Sequence, residues 1–326
     1  MKPKVFVSRS LPGDALSRVA EICETDVFDG DLPPKRSVLL SRTTGCDGLL
    51  TMLTDRVDAA LMDAAPMLKV VSNFAVGFDN IDVAEATRRG IPVGNTPGVL
   101  TETTADLAFA LLMSAARRLP EGTAVSRNGE FLAWSPTMLL GSDVYGATLG
   151  IVGMGRIGRA VARRARGFDM EVIFSGSPRT TENEIEGATR VSFEELVRRS
   201  DFLSIHAPLN DSTRGLINRA VLTAMKSTAV LINTARGGLV DQDALYDALK
   251  AGVIAAAALD VTEPEPLSHT HKLFSLPNCL IVPHLGSASL ATRSKMAHMA
   301  VDNLLAGLRG KRLPHCVNPE VYRYIS

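Results

Sequence analysis

The feature that most narrows what this chain can fold into is a run of six residues, Gly153-Met154-Gly155-Arg156-Ile157-Gly158. It follows the aliphatic stretch Ala147-Thr148-Leu149-Gly150-Ile151-Val152 and precedes Arg159-Ala160-Val161-Ala162-Arg163-Arg164, which reads as a helix. A strand that ends in G-x-G-x-x-G and passes into a helix is the dinucleotide fingerprint, and each glycine has its own duty. Gly153 makes the tight turn, Gly155 lets backbone approach a pyrophosphate, and Gly158 lets helix and strand pack closely. The helix start then offers free N–H groups and a positive dipole end to the phosphates. The spacing predicts a parallel α/β domain with a dinucleotide on it.

The rest of the chain has the matching rhythm. Residues 147–152, 171–174, 202–205, 229–233, 255–260 and 279–282 are short aliphatic runs separated by amphipathic stretches, which predicts six strands in the second half. An earlier alternation pairs residues 5–7 with 11–22, 48–52 with 57–62, and 68–72 with 83–89. Between the two lies Ile91-Pro92-Val93-Gly94-Asn95-Thr96-Pro97-Gly98, where two prolines and two glycines break the pattern, followed by a helical stretch over 101–118. A second long helix is expected over 288–308, and the tail behind it is too short for a domain. At 326 residues the chain exceeds what one core usually organises. The expectation is a nested pair: a cofactor domain over 99–288, inserted into a unit built from 1–98 and 289–326, with a cleft where they meet.

Composition narrows the partners. Lys plus Arg and Asp plus Glu are 35 each, so no field of the whole chain favours nucleic acid or an anionic membrane. Any anion must be held by a local site. The longest apolar run, residues 253–259, is far short of the ~20 residues that span a bilayer. The start has no signal-peptide core, and a cytoplasmic protein is expected. Cys23, Cys46, Cys279 and Cys316 lie far apart without a CxxC pair, which argues against both a zinc site and a disulfide framework. His269 and His271 form an HxH pair without companion ligands, so a solvated loop and no metal is expected. Residues 120–146 carry the only tryptophan, Trp134, in a stretch with little periodicity, which in a compact chain marks a functional or interfacial segment.

An NAD ribose is held by a carboxylate about 20 residues after the glycine run, at the end of the next strand. Here that position reads Ser175-Gly176-Ser177-Pro178-Arg179, and Glu171 lies too early in the strand. Two hydroxyls and a guanidinium suit a 2′-phosphate, because guanidinium presents a planar fork of donors. NADP(H) is therefore expected in preference to NAD(H), with Ser175, Ser177 and Arg179 as its contacts.

Three more segments place charged or titratable groups just past an expected strand, where ligands of open α/β sheets bind. They are Asn233-Thr234-Ala235-Arg236-Gly237-Gly238, Asp260-Val261-Thr262-Glu263-Pro264-Glu265-Pro266-Leu267 and Pro283-His284-Leu285-Gly286-Ser287. With these in order behind the glycine run, the chain resembles the D-isomer-specific 2-hydroxyacid dehydrogenases over nearly its whole length. The Asp260–Leu267 run, His284-Leu285-Gly286-Ser287-Ala288, the stretch 303–310 and the non-acidic Ser175 segment make it most similar to the glyoxylate/hydroxypyruvate reductase branch. The phosphoglycerate dehydrogenase branch, many of whose members carry a long C-terminal extension, is the less expected one.

The resemblance implies two doubly wound domains, a Rossmann domain inserted into a flavodoxin-like substrate domain. It implies reduction of a small 2-keto acid, glyoxylate or hydroxypyruvate, to a D-2-hydroxy acid. That chemistry needs a proton for the carbonyl oxygen, and His284 suits it because imidazole titrates nearest working pH. A carboxylate on the other ring nitrogen would orient the ring. The resemblance gives that role to Glu265, with Glu263 as the rival in the same Pro-rich loop. Arg236 can clamp the substrate carboxylate and polarise its carbonyl.

Cofactor contacts implied in the same way are Thr104, Gly153, Gly155, Arg156, Ile157, Gly158, Pro208, Thr213, Thr234, Ala235, Arg236, Asp260, His284 and Gly286, while His206 is read as local structure. Substrate contacts are Leu53, Val76, Gly77, Arg236, His284 and Ser287, with the small residues after the strand 68–72 suiting a carboxylate cradle. Relatives of this kind are homodimers in which the arm before the glycine run crosses over, so Trp134 would close the partner's pocket. The alternatives left open are a dehydrogenase of another 2-keto acid and a dinucleotide-sensing module with the same fold.

Overall fold

The alternating runs pair into two sheets in the computed structural model, which describes residues 1–176 and 180–323. Two compact units result, Met1–Leu100 with Ala288–Ser326, and Thr101–Ser287.

In the first unit, Lys4–Val7 (β1), Glu24–Val27 (β2), Gly48–Thr51 (β3), Val70–Asn73 (β4) and Val93–Gly94 (β5) form a parallel sheet in the order β2-β1-β3-β4-β5, the flavodoxin-like winding. Successive residues of a strand point to opposite faces, and both faces here are covered, which is why the inner strands read as unbroken apolar runs. Val5, Val7, Leu50 and Val70 pack with Ala297, Val301 and Leu304 of the long helix Leu290–Leu308. Phe6, Leu49 and Val71 pack with Leu39, Leu61 and Met62 on the other side. The C-terminal stretch closes the edge at β5: the buried Asn318 accepts from the Val93 N–H at 2.8 Å and donates to the Ile91 carbonyl at 3.0 Å.

The second unit holds Thr148–Val152 (β6), Glu171–Ser175 (β7), Glu184–Ile185 (β8), Ala188–Arg190 (β9), Phe202–Ile205 (β10), Val230–Asn233 (β11), Ala256–Leu259 (β12) and Cys279–Ile281 (β13). Their order is β13-β12-β11-β10-β6-β7-β9-β8. The winding leaves β6 in both directions, so the switch point, where such sheets collect ligands, lies beside β6. The helix Thr101–Ala116 packs on one face through Ala108, Leu112 and Ala116.

Among the described residues this sheet has eight strands where six were expected. The extra pair, β8 and β9, is an antiparallel hairpin turned by Glu186 and Gly187, both at positive φ, the backbone of a two-residue hairpin turn. Strands of two and three residues are too short to show a period. Likewise, the stretch 120–146, expected to have little periodicity, begins within a helix, Leu119–Arg127, in which no residue is buried to mark a face. Among the described residues, no helix is long and apolar enough to cross a membrane.

Candidate active site

The turn after β6 is fixed by what cannot fit. Gly153 has φ +94, and a Cβ there would stand 2.8 Å from the backbone of His206 and Ala207. A Cβ on Gly158 would collide with the Gly153 carbonyl oxygen, whereas one on Gly155 would meet nothing within 4 Å. Two of the glycines are therefore required by the protein's own packing, and the third faces open space. The helix Arg156–Ala165 starts at Gly155 with no side-chain cap, so its first N–H groups lack the usual partner. An open glycine over an uncapped helix start fits a pyrophosphate. Ser175, at the end of β7, accepts from the Gly153 N–H at 2.8 Å. Glu171 is turned to Arg199 and Thr148 at the other end of the strand. Ser177 and Arg179 lie outside the described residues.

His284 occupies a loop with φ +53, a left-handed backbone that costs an L-residue about 1–2 kcal/mol. Asp260, at the end of β12 and almost fully buried, holds it there. Its backbone carbonyl accepts from the His284 N–H at 3.0 Å, and its carboxylate accepts from Leu285 and Gly286 N–H groups at 2.5 and 2.9 Å. Burial nevertheless pushes the Asp260 carboxyl above its ordinary range. Thr104, also buried, donates to the Gly286 carbonyl at 3.0 Å. Asp260 and Thr104 thus support the His284 loop from beneath. His284 Nδ1 lies 2.6 Å from Glu265 Oε1. Glu263 instead bonds Arg214 with both oxygens at 2.9 Å. Among the described residues His284 Nε2 has no hydrogen-bond partner.

After β11, Asn233 shapes the turn that carries Thr234, Ala235 and Arg236: its side chain donates to the Arg236 carbonyl at 2.9 Å and accepts from the Ala235 N–H at 3.0 Å. The Thr234 hydroxyl is buried with no partner among the described residues, an orphan that a bound molecule would satisfy. Arg236 Nη1 donates to the Ala235 carbonyl at 2.8 Å. Thr213 closes the loop after β10 by donating to the Pro208 carbonyl at 2.7 Å. His206 places Nε2 2.8 Å from Ser204 Oγ and leaves Nδ1 buried without a partner among the described residues, and burial pushes its pKa down to about 4. His271 Nδ1 accepts from the Leu273 N–H.

In the first unit, Leu53 is partly exposed after β3, and Val76 and Gly77 lie in the turn after β4. The Val76 and Gly77 N–H groups donate to nothing among the described residues. Their carbonyls are engaged, Val76 by Asn95 at 2.8 Å and Gly77 by Asn73 at 2.9 Å. Asn73, Asn95, Asn233 and the supporting part of Asp260 are the residues that reading the sequence missed. Only the Asn-at-strand-end pattern of Asn73 and Asn233 could have signalled them, since such side chains bond their own following turn. Trp134 is 75% exposed and Ser287 half-buried.

A glycine turn, an orphaned hydroxyl and an imidazole–carboxylate pair on a doubly wound sheet define a nicotinamide-dinucleotide dehydrogenase. The chain belongs to the D-isomer-specific 2-hydroxyacid dehydrogenase family, whose NAD-binding-domain model matches residues 109–286. It is 52% identical to a glyoxylate reductase of Korarchaeum cryptofilum over 99% of this chain and 98% of that one. Among solved structures, a Thermus thermophilus protein aligns with TM-score 0.92 at 49% identity, covering 96% of this chain and 99% of the other. An NADPH-dependent glyoxylate/hydroxypyruvate reductase of Sinorhizobium meliloti, solved with NADP and malonate, aligns with TM-score 0.86 at 35% identity over 97% of each chain.

Proposed function

We propose that the protein reduces glyoxylate and hydroxypyruvate to glycolate and D-glycerate, with NADPH preferred over NADH. The observation that carries this reading is the 2.6 Å contact between His284 and Glu265. When bound, the reduced nicotinamide supplies the hydride to the carbonyl carbon. Glu265 accepts from Nδ1–H and fixes the ring, so that Nε2 delivers the proton to the carbonyl oxygen. Arg236 clamps the carboxylate and polarises the carbonyl. The Val76 and Gly77 N–H groups receive the carboxylate, Leu53 supplies an apolar wall, and Ser287 lines the substrate's side of the His284 loop.

Gly153, Gly155, Arg156, Ile157 and Gly158 hold the pyrophosphate, and Thr104, Pro208, Thr213, Thr234, Ala235, Asp260 and Gly286 flank the remainder of the cofactor. The strand end at Ser175 has no carboxylate to repel a 2′-phosphate, and an NADPH-dependent relative supports the same preference. Phe131, Leu132, Trp134, Leu140 and Tyr145 are all more than half exposed, an apolar stretch that supports a homodimer with Trp134 at the partner's pocket. Light scattering is expected to give twice the chain mass, and a monomer defeats that part.

The deciding experiment is a panel of 2-keto acids assayed with NADPH and NADH. Glyoxylate and hydroxypyruvate are expected to turn over with the higher kcat/KM on NADPH. A clear NADH preference overturns the cofactor reading, and bulkier keto acids outpacing both substrates overturns the substrate reading.

A further inference from the structure

The turn after β4 that carries Val76 and Gly77 is held by hydrogen bonds from neighbouring segments. In a trans peptide the C=O and the following N–H point to opposite sides of the chain. Whatever grips a carbonyl therefore aims the next N–H away from itself. The Ala75 carbonyl accepts from the Thr96 N–H at 2.9 Å, which turns the Val76 N–H to the other side. The Val76 carbonyl accepts from Asn95 Nδ2 at 2.8 Å, which does the same for the Gly77 N–H. Adjacent residues of one segment, 95 and 96, thus pull two consecutive carbonyls one way and present two consecutive N–H groups the other.

That segment is itself anchored. Asn303, fully buried on the helix Leu290–Leu308, donates to the Asn95 carbonyl at 2.9 Å and accepts from the His315 N–H at 2.9 Å. A Cβ on Gly94 would run into Asn303, so glycine there is what lets the helix come this close. On the far side of the turn, Asn73 engages the Gly77 carbonyl while accepting from Thr51 Oγ1 at 3.0 Å. Asn80, 3.2 Å from Asn73, ties the same turn to the Met52 and Asp55 carbonyls at 3.1 and 2.9 Å.

We propose that Asn95 is a positioning residue for the keto-acid carboxylate: by holding the Val76 carbonyl it aims the Gly77 N–H, in parallel with the Val76 N–H, at one carboxylate. Asn73 is its counterpart, fixing the end of the turn. The inference rests on the reading of Val76 and Gly77 as the carboxylate cradle.

The test compares wild type with Asn95→Asp, which keeps the shape and loses the donor, and Asn95→Ala, which loses the donor without adding charge. The glyoxylate KM and the inhibition constant of oxamate, a carboxylate that cannot be reduced, are expected to rise together by about tenfold, the loss typical of one hydrogen bond to a charged group. The kcat and the NADPH KM are expected to stay within about twofold, the signature of lost ground-state binding. Asn73→Asp is expected to act in the same direction. Active variants with an unchanged glyoxylate KM overturn the inference alone. So does an equal rise in the NADPH KM, which marks a general loosening of the fold. A wild-type protein that reduces no 2-keto acid overturns both the inference and the functional reading beneath it.

Discussion

The turn after β6 and the turn after β4 sit at equivalent places, each past the C-terminal end of an inner parallel strand, and each presents N–H groups that donate to nothing among the described residues. They are built by opposite means. The first is fixed by exclusion: Gly153 and Gly158 stand where any side chain would strike backbone. The second contains only one glycine, Gly77, and is fixed by attraction, through amides at Asn73, Asn95 and Asn303. A steric turn is written in six consecutive letters. A hydrogen-bonded turn is written in residues up to 230 positions apart (73 to 303), none of them unusual by itself.

The largest effect expected from breaking this arrangement lies outside both turns. His284→Ala is expected to lower kcat by about 10²–10⁴, the range for a lost general acid. An undiminished kcat removes His284 from the chemistry. Next comes the steric turn. Gly158→Ala forces a Cβ against the Gly153 carbonyl, and overpacking of this kind costs about 1–3 kcal/mol. The expected result is a lower Tm and a cofactor dissociation constant raised about tenfold or more. An unaltered affinity means the turn tolerates the methyl and the exclusion account is wrong.

The smallest effect is in the post behind the glycine turn. His206 packs its carbonyl against Gly153, and burial lowers its pKa from 6.5 to about 4. The unfolded chain takes up a proton there below pH 6.5 while the folded chain refuses it until about pH 4. Stability is therefore expected to fall as pH drops through that window, and to level off below it. Thermal melts across the window are expected to slope less in His206→Asn than in wild type. Identical slopes show that the ring is not held neutral.

The same contrast explains what was legible in the sequence. Residues 147–164 announce strand, turn and helix because sterics leave only glycine as a solution at two of the positions. The inner strands announce themselves because both faces are buried. β2 does not, since Glu24-Thr25-Asp26 lies at the sheet's edge, and β5 and β8 have only two residues each. At the site, Glu263 and Glu265 share one loop and one residue type; the family resemblance, not their spacing, points to Glu265, and in the fold Glu263 pairs with Arg214 and Glu265 with His284. Asp260 could be seen as a charge past a strand, but its work, holding His284 at a positive φ, depends on backbone geometry that no spacing encodes.

The two turns are expected to grip two different anions, the cofactor's pyrophosphate on the glycine turn and the keto acid's carboxylate on the amide-held turn. The most direct test of this is the pair of Michaelis constants, for NADPH and for glyoxylate, measured in Gly158→Ala and Asn95→Ala side by side. A crossed result is expected, with the NADPH constant rising in the first variant and the glyoxylate constant in the second. A single constant rising in both variants contradicts it.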